Sequence, residues 1–156
     1  MTAAVVPQEL AVSTSILVIC IHNSARSQMA EELIRHQCGD AVRVESAGLE
    51  PGALNPMAVA VLQEMGIDIA GKATQGVSDL LRQGREFDYV ITVCDEASAE
   101  RCPVFPGGGR RLHWSFPDPS AFSGSDEERL ARTREVRDAI AARVQSWCAA
   151  EECCAA

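Results

Sequence analysis

The sequence predicts one α/β domain in which a parallel sheet is covered by helices on both faces. Short apolar runs rich in Val and Ile alternate along the chain with segments whose apolar residues recur at helical spacing. Strands and helices that alternate through short loops imply parallel strands joined by helical crossovers. The length of 156 residues suits a single domain that is large enough to bury a core.

The first half of the chain predicts two strands, each followed by a helix. A short apolar run over 16–19 indicates a buried strand, and apolar residues then repeat at helical spacing over 27–37. The run 41–46 indicates the second strand. Pro56 stands in the first turn of the second helix, where its missing N–H is not needed, and Gly66 ends that helix.

The second half of the chain predicts two further strands and a long final helix. Ser78 is the predicted N-cap of a short helix. The β-branched run 87–93 predicts the third strand, and 111–114 predicts the fourth after a glycine-rich turn. Residues 95–101 are interpreted as a short helix or a flexible loop. The last helix, over 125–147, begins with acidic residues and has one apolar face.

The segment 20–27 brings reactive side chains to the junction between the first strand and the first helix. Cys20 ends the strand, and Arg26 and Ser27 begin the helix. Such a loop points backbone N–H groups into one concavity at a helix N-terminus, and the guanidinium of Arg26 suits an oxyanion. These groups favour a thiolate at Cys20, to which Ser27 can donate. The alternative is a buried structural cysteine beside a surface arginine.

The pattern Cys20-x5-Arg26-Ser27 resembles the signature of low-molecular-weight tyrosine phosphatases. The run from Cys20 to Glu31 is more similar to arsenate reductases built on that fold, because Gln28 stands where the phosphatases usually carry proline. The similarity implies a three-layer sandwich with a four-stranded sheet of order 2-1-3-4. It also implies an oxyanion-binding loop formed by Ile21, His22, Asn23, Ser24, Ala25 and Arg26.

The resemblance further implies a thiol relay that reduces arsenate, with phosphate and sulfate as competing oxyanions. The Cys20 thiolate attacks arsenic while Asp118 protonates the departing oxygen. Cys94 then forms a disulfide with Cys20, and Cys102 forms the next disulfide with Cys94. The loop that carries Cys94 and Cys102 is expected to be the most mobile part of the fold. Thioredoxin is the expected electron donor, glutathione with glutaredoxin is the alternative, and no metal or organic cofactor takes part.

Several of these assignments have alternatives. Asp118 precedes a proline and would suit a turn. The alternative for Cys94 is an unreactive cysteine buried in a strand. His22 either tunes the nucleophile or faces solvent. Cys38 and Cys148 are interpreted as structural, and no catalytic role is assigned to the tail pair Cys153 and Cys154.

Potassium binding is a further property of some proteins that the chain resembles. Asn23, Glu31 and Ser46 match residues that bind the ion in those relatives, and Ser46 is also predicted to support Asn23 in the loop. The stretch 72–79, which supplies an aspartate there, cannot be aligned to place Asp79 as that ligand. The sequence therefore does not predict a metal site.

The composition limits which partners and which cellular compartment we expect. A net charge of −8 and few aromatic residues argue against nucleic-acid binding, and no stretch is long and apolar enough to span a membrane. The first residues do not form a signal peptide, so 1–14 is predicted to be a mobile tail. We expect a single catalytic domain over 15–148, a cysteine-containing tail over 149–156, and a cytoplasmic protein.

Two other functions compete with arsenate reduction. A low-molecular-weight tyrosine phosphatase would hydrolyse phosphate esters without using Cys94 or Cys102, and weak activity of this kind is expected in any case because the loop and the acid are shared. A protein that senses or sequesters an oxyanion or arsenite through its cysteine-rich tail would bind without turnover. The nucleophile, arginine and acid together favour an enzyme.

Overall fold

The computed structural model describes residues 14–95, 97, 100–103, 105–107 and 109–151. Within this part of the chain, four strands form one parallel sheet of order β2-β1-β3-β4. The strands are β1 Thr14–Cys20, β2 Val42–Gly48, β3 Tyr89–Thr92 and β4 Arg110–His113. The predicted α/β class and strand order are confirmed. Of the two predicted tails, residues 1–13 and 152–156 lie outside the described residues, whereas Thr14 belongs to β1 and residues 149–151 belong to the last helix.

The α-helices whose bounds are defined are α1 Arg26–Cys38, α2 Pro56–Gln63, α3 Val77–Arg82 and α4 Asp126–Glu151. Short 3-10 helices cover Gly39–Ala41 and Pro119–Ala121. Helix α2 begins as predicted, because the side chain of Asn55 caps it by accepting a 2.8 Å hydrogen bond from the N–H of Met57.

The predicted N-cap of α3 is wrong. Gly76 precedes the helix, and Ser78 lies inside its first turn. The backbone of Gly76 is extended and bridges to Gly48 at the end of β2, so the helix begins directly after it. This bridge joins residues that are far apart in sequence, so the residues next to the helix start could not predict it.

The side chains of β1 alternate between the two faces of the sheet. Ile16, Val18 and Cys20 pack in the layer formed by α1, α2 and α4, whereas Leu17 and Ile19 pack with α3. The strand is buried on both faces, which explains its continuous apolar sequence. The alternation therefore determines the face on which the Cys20 side chain lies.

Helix α4 continues past its predicted end at Trp147 and reaches Glu151. The Trp147 ring packs edge-on against Trp114 and Tyr89, with centroid distances of 5.5 and 5.2 Å. Cys148, the next residue, is buried against α1. These contacts keep the last turns helical. None of the described helices is long and apolar enough to cross a bilayer.

An ion-pair cluster joins the C-terminal end of α2 to α4. The Glu64 carboxylate lies 2.7 Å from Arg134 Nη2 and 2.8 Å from Arg137 Nη1. Arg137 also donates to the carbonyl of Val61 at 2.7 Å. The hydrogen bond from Arg134, followed by that from Arg137, lowers the pKa of Glu64 from 4.5 to about 2.

We expect this cluster to make the free energy of unfolding depend on pH in the acidic range. Because the pKa of Glu64 is lower in the folded chain than in the unfolded chain, its stabilising effect is present above about pH 4.5 and is lost as the pH falls towards 2. Urea midpoints recorded across this window should fall less in Glu64→Gln than in wild type. Glu127→Gln, at an exposed position of α4, is the control and should follow wild type. Identical acid profiles for Glu64→Gln and wild type would contradict the expectation.

Candidate active site

The loop between β1 and α1 surrounds the sulfur of Cys20, which is 2% exposed. The N–H of Asn23 donates to Cys20 Sγ at 3.1 Å, and the Ser27 hydroxyl lies 2.9 Å from the same sulfur. Asn23 is the one described non-glycine residue with positive φ, at 56°. Its side-chain bonds hold it in this conformation. The N–H of Asn23 and the hydroxyl of Ser27 therefore both face the sulfur, and both groups are able to donate a hydrogen bond to it.

The carbonyl groups of the loop point away from this sulfur. Those of Ile21, His22 and Ser24 accept hydrogen bonds from the N–H groups of Glu50, Gly52 and Asn55, at 2.7, 2.9 and 2.9 Å. In a trans peptide unit the N–H points opposite to the C=O. Each outward carbonyl thus turns the next N–H inwards. The result is a set of N–H groups directed at one concavity, which is the requirement for binding an oxyanion.

Gly48, at the end of β2, allows the loop to lie directly on the sheet. A Cβ atom at this position would approach the backbone of Asn23, His22 and Ile21 to 2.8 Å. Because those neighbours are backbone atoms of the loop itself, any side chain here would displace the N–H groups. Gly48 was not among the predicted site residues.

Side-chain hydrogen bonds hold Asn23 in place. Its Nδ2 donates to Ser27 Oγ at 2.7 Å and to Ser46 Oγ at 2.9 Å, so the predicted contact with Ser46 is present. Its Oδ1 accepts from the N–H of Gln75 at 3.0 Å and from Gln28 Nε2 at 3.2 Å. Neither glutamine was predicted to hold the loop, and Gln75 reaches it only through the tertiary fold.

The buried carboxylate of Glu31 holds Ser46, which in turn contacts Asn23. Glu31 Oε1 accepts a 2.5 Å hydrogen bond from the Ser46 hydroxyl, and the carboxylate is 2.7 Å from both Lys72 Nζ and Arg35 Nη2. Glu31 itself is 5% exposed. Two cations therefore already neutralise it.

The potassium site of some relatives does not fit these residues. The Lys72 ammonium lies 2.7 Å from Glu31 Oε1, the same oxygen that accepts the hydrogen bond from Ser46. Asp79 is exposed and pairs with Arg82 instead. Among the described residues, no group of three or more His, Cys, Asp or Glu side chains could hold a metal ion.

Arg26 connects the loop to the predicted acid. Its side chain is 6% exposed, and its Nη1 donates to the carbonyl of Phe116 at 3.2 Å. Its Nη2 lies 3.5 Å from Asp118 Oδ2. Asp118 Oδ1 accepts from the N–H of Ser120 at 2.9 Å, so Asp118 also caps the 3-10 helix that follows. The turn and the position beside the loop are thus both present.

Cys94 lies at the end of the strand next to Cys20. The N–H of Val93 donates to the carbonyl of Ile19 at 2.8 Å, which places the two cysteines at neighbouring strand ends. Cys94 is fully buried in the same apolar layer as Cys20. Burial raises the pKa of Cys94 to about 11, while Arg26 acts in the opposite direction and a charge on Cys20 adds to the rise. Both groups are therefore electrostatic neighbours of Cys94.

Cys102 lies on the other face of the sheet. It is 6% exposed and packs with the apolar residues of the α3 layer, including Leu17, Ile19 and Phe105. Burial raises the pKa of its thiol, and Arg111 partly opposes this rise. A Cys94–Cys102 disulfide thus requires one side chain to leave its layer. Residues 96, 98 and 99 of the connecting loop lie outside the described residues, and the mobility of this loop stays a prediction.

His22 faces outwards. Its side chain is exposed, and its Nδ1 lies 2.8 Å from the carbonyl oxygen of Glu50. Of the two alternatives from the sequence, the solvent-facing one describes this geometry. The structure thus gathers Cys20, Arg26, Asp118 and Cys94 at one edge of the sheet, and leaves Cys102 apart.

Residues 15–152 match the protein family described as low molecular weight phosphotyrosine protein phosphatase. The chain belongs to this family.

Several similar proteins are arsenate reductases. The chain is 41% identical over 133 residues to the arsenate reductase of Shouchella clausii, which covers 85% of this chain and 93% of that protein. A solved arsenate reductase in the oxidised state superposes with a TM-score of 0.71 at 28% identity, over 85% of this chain and 95% of the other. A thioredoxin-dependent arsenate reductase from Corynebacterium glutamicum gives a TM-score of 0.58 at 28% identity, over 85% of this chain and 62% of that one. These similarities confirm the resemblance found in the sequence.

Proposed function

We propose that the protein is a cytoplasmic enzyme that reduces arsenate to arsenite through Cys20, Cys94 and Cys102. The observation that carries this proposal is Cys94, a fully buried cysteine at the strand end next to the nucleophile. Hydrolysis of a phosphate ester needs one nucleophilic cysteine, an arginine and an acid. Reduction needs two electrons as well, and a neighbouring thiol can supply them.

In the first step arsenate binds the inward N–H groups of residues 21–26 and the Arg26 guanidinium. Ser27 and the Asn23 N–H stabilise the Cys20 thiolate, which attacks As(V). A bond forms between sulfur and arsenic, and one arsenic–oxygen bond breaks. The departing oxygen takes a proton from Asp118 and leaves as water. The oxidation state of arsenic does not change in this step.

In the second step the Cys94 thiolate attacks Cys20 Sγ. The sulfur–sulfur bond forms, the sulfur–arsenic bond breaks, and its electron pair stays on arsenic, which leaves as arsenite. The Cys102 thiolate then attacks Cys94 Sγ and releases Cys20 as a thiolate. The Cys94–Cys102 disulfide that remains accepts two electrons from an external dithiol.

Thioredoxin is the proposed source of those electrons. The relay ends in an intramolecular disulfide, which is the form that a dithiol protein reduces by exchange. The similar protein from Corynebacterium glutamicum is a thioredoxin-dependent arsenate reductase. Glutathione with glutaredoxin would instead act on Cys20 directly and would make Cys102 dispensable.

The test is arsenate-dependent oxidation of NADPH in the presence of thioredoxin and thioredoxin reductase. We expect turnover by wild type and its loss in Cys20→Ser, Cys94→Ser and Cys102→Ser. If turnover depends on Cys20 but not on Cys94 and Cys102, the donor is wrong and glutathione with glutaredoxin takes its place. Hydrolysis of an aryl phosphate without any arsenate turnover would replace the reductase by the phosphatase. Binding of arsenate or arsenite without either reaction would favour a sensor.

A weak phosphatase activity is proposed alongside the reduction. The Cys20 thiolate, Arg26 and Asp118 meet the needs of phosphate-ester hydrolysis as well, because arsenate and phosphate have the same shape and charge. This activity should not depend on Cys102.

The raised pKa of Cys94 gives an expected pH dependence for the second step. Only the thiolate attacks, and at neutral pH a thiol with a pKa of about 11 is almost wholly protonated. In Cys102→Ser, which stops at the Cys20–Cys94 disulfide, the single-turnover release of arsenite should rise roughly tenfold per pH unit between about pH 7 and 9. Rapid-quench measurements of arsenite would record this. A rate that does not change over the same range would contradict it.

A further inference from the structure

Two cysteines outside the site meet at the far end of α1. Cys38 is the last residue of α1, and Cys148 lies near the end of α4. They are 110 positions apart in sequence, and their Sγ atoms are in contact at 3.1 Å. Both are buried, with exposures of 6% and 5%. Two sulfur atoms from distant parts of the chain thus meet in the apolar layer between α1 and α4.

The surroundings hold this pair in place. Helix α1 packs against α4 on one side of the sheet. Trp147, beside Cys148, is fixed by its edge-on contacts with Trp114 and Tyr89. The N–H of Gly39 bonds back to the carbonyl of Arg35 and closes the end of α1 next to Cys38. Both ends of the pair therefore belong to packed helices.

The pair is separate from the reacting cysteines. Arg26 begins α1 beside Cys20, and Cys38 ends the same helix. At a rise of 1.5 Å per residue, the two ends of this helix are about 18 Å apart. Cys94 lies beside Cys20 at the carboxyl edge of the sheet, and Cys102 lies on its other face. The mechanism proposed above uses neither Cys38 nor Cys148.

We propose that Cys38 and Cys148 are a second redox pair, which forms a disulfide that fastens α4 to α1 and takes no part in arsenate reduction. The two thiols lose two protons and two electrons as the sulfur–sulfur bond forms. Hydrogen peroxide accepts them and becomes two molecules of water, or a small disulfide accepts them and becomes two thiols. The bond closes a long segment of chain, which restricts the unfolded state. The role of the disulfide is stabilisation of the C-terminal helix.

The first test maps the bond in the full chain. The protein is treated with hydrogen peroxide, unfolded, alkylated, and digested with trypsin and a glutamate-specific protease. Cys38 then falls in peptide 36–43 and Cys148 in peptide 144–151, while Cys153 and Cys154 are released separately. We expect a cross-linked pair of the first two peptides that disappears after reduction. Alkylation of both residues as thiols, or a bond from Cys148 to Cys153 or Cys154, would overturn the proposal.

The second test measures stability. The Cys38–Cys148 bond should raise the melting temperature of the oxidised wild type by about 10 °C over the reduced form. Cys38→Ala and Cys148→Ala should each lack this difference. The double variant Cys153→Ser and Cys154→Ser should keep it, which excludes the tail cysteines. Because both redox forms of wild type are compared, the result does not depend on whether a variant folds. Equal melting temperatures for the two forms would overturn the proposal.

The activity assay separates this proposal from the proposed function. Cys148→Ala should reduce arsenate at the rate of wild type when both are folded. Loss of turnover in this variant, with the fold intact, would show that the pair belongs to the relay and would overturn its separate role. Lack of arsenate turnover in wild type would leave the mapped bond and the shift in melting temperature unchanged.

Discussion

Replacing Cys20 by serine should lower arsenate turnover by at least about ten-thousand-fold. A serine hydroxyl at this position would be a far weaker nucleophile than a thiolate, and it cannot form the disulfide with Cys94 that releases arsenite. The same change should abolish aryl-phosphate hydrolysis, because both reactions begin with attack by the same sulfur. Steady-state rates for both substrates, measured on one preparation, give the result.

Cys102→Ser is the matched control for this variant. It removes a buried cysteine of similar exposure from the opposite face of the sheet. It should lose repeated arsenate turnover but retain aryl-phosphate hydrolysis. Appreciable phosphatase activity in Cys20→Ser would show that another group is the nucleophile. Loss of both activities in Cys102→Ser, with an unchanged melting temperature, would show that Cys102 acts in the first step.

Replacing Arg26 by lysine should lower kcat for arsenate and for an aryl phosphate by about a hundredfold to a thousandfold. Lysine keeps the positive charge but loses the planar fork, so it cannot contact two oxyanion oxygens while also holding Asp118. In the structure, Arg26 bonds to the carbonyl of Phe116 and lies 3.5 Å from Asp118 Oδ2. Its loss should therefore affect both the binding of the oxyanion and the position of the acid.

The control is Arg137→Lys, which changes an arginine of similar burial at the interface of α2 and α4. That variant should be less stable but should keep its kcat under conditions where it is folded. Initial rates over a range of arsenate concentrations separate kcat from KM for both variants. If Arg26→Lys retained the kcat of wild type, charge alone would suffice, and the bidentate role of Arg26 would be wrong.

The sequence by itself determined the α/β fold class and the place of the loop between the first strand and the first helix, whereas the strand order came from the family resemblance. Alternating apolar runs predict parallel strands and crossover helices, because burial on both faces of a strand and on one face of a helix leaves different periods in the chain. The segment from Cys20 to Ser27 needs only neighbouring residues to form a strand end, a loop and a helix start. These features depend on local chemistry, so one sequence is enough to find them.

Contacts between distant residues were decided only by the tertiary structure. The backbone of the loop lies on Gly48, Gln75 holds Asn23, and Lys72 neutralises Glu31 beneath them. The Gly48–Gly76 bridge moved the start of α3 away from the predicted cap.

The contacts of the cysteines were also decided by the tertiary structure. Their order in the sequence did not reveal that Cys102 packs on the opposite face from Cys94, or that Cys38 and Cys148 touch. Each of these contacts depends on how separate elements pack, and that packing leaves no periodic or spacing pattern in the sequence. The loop that carries Cys20 is thus predicted from neighbouring residues, whereas the contacts of that loop and the places of the other cysteines depend on the fold.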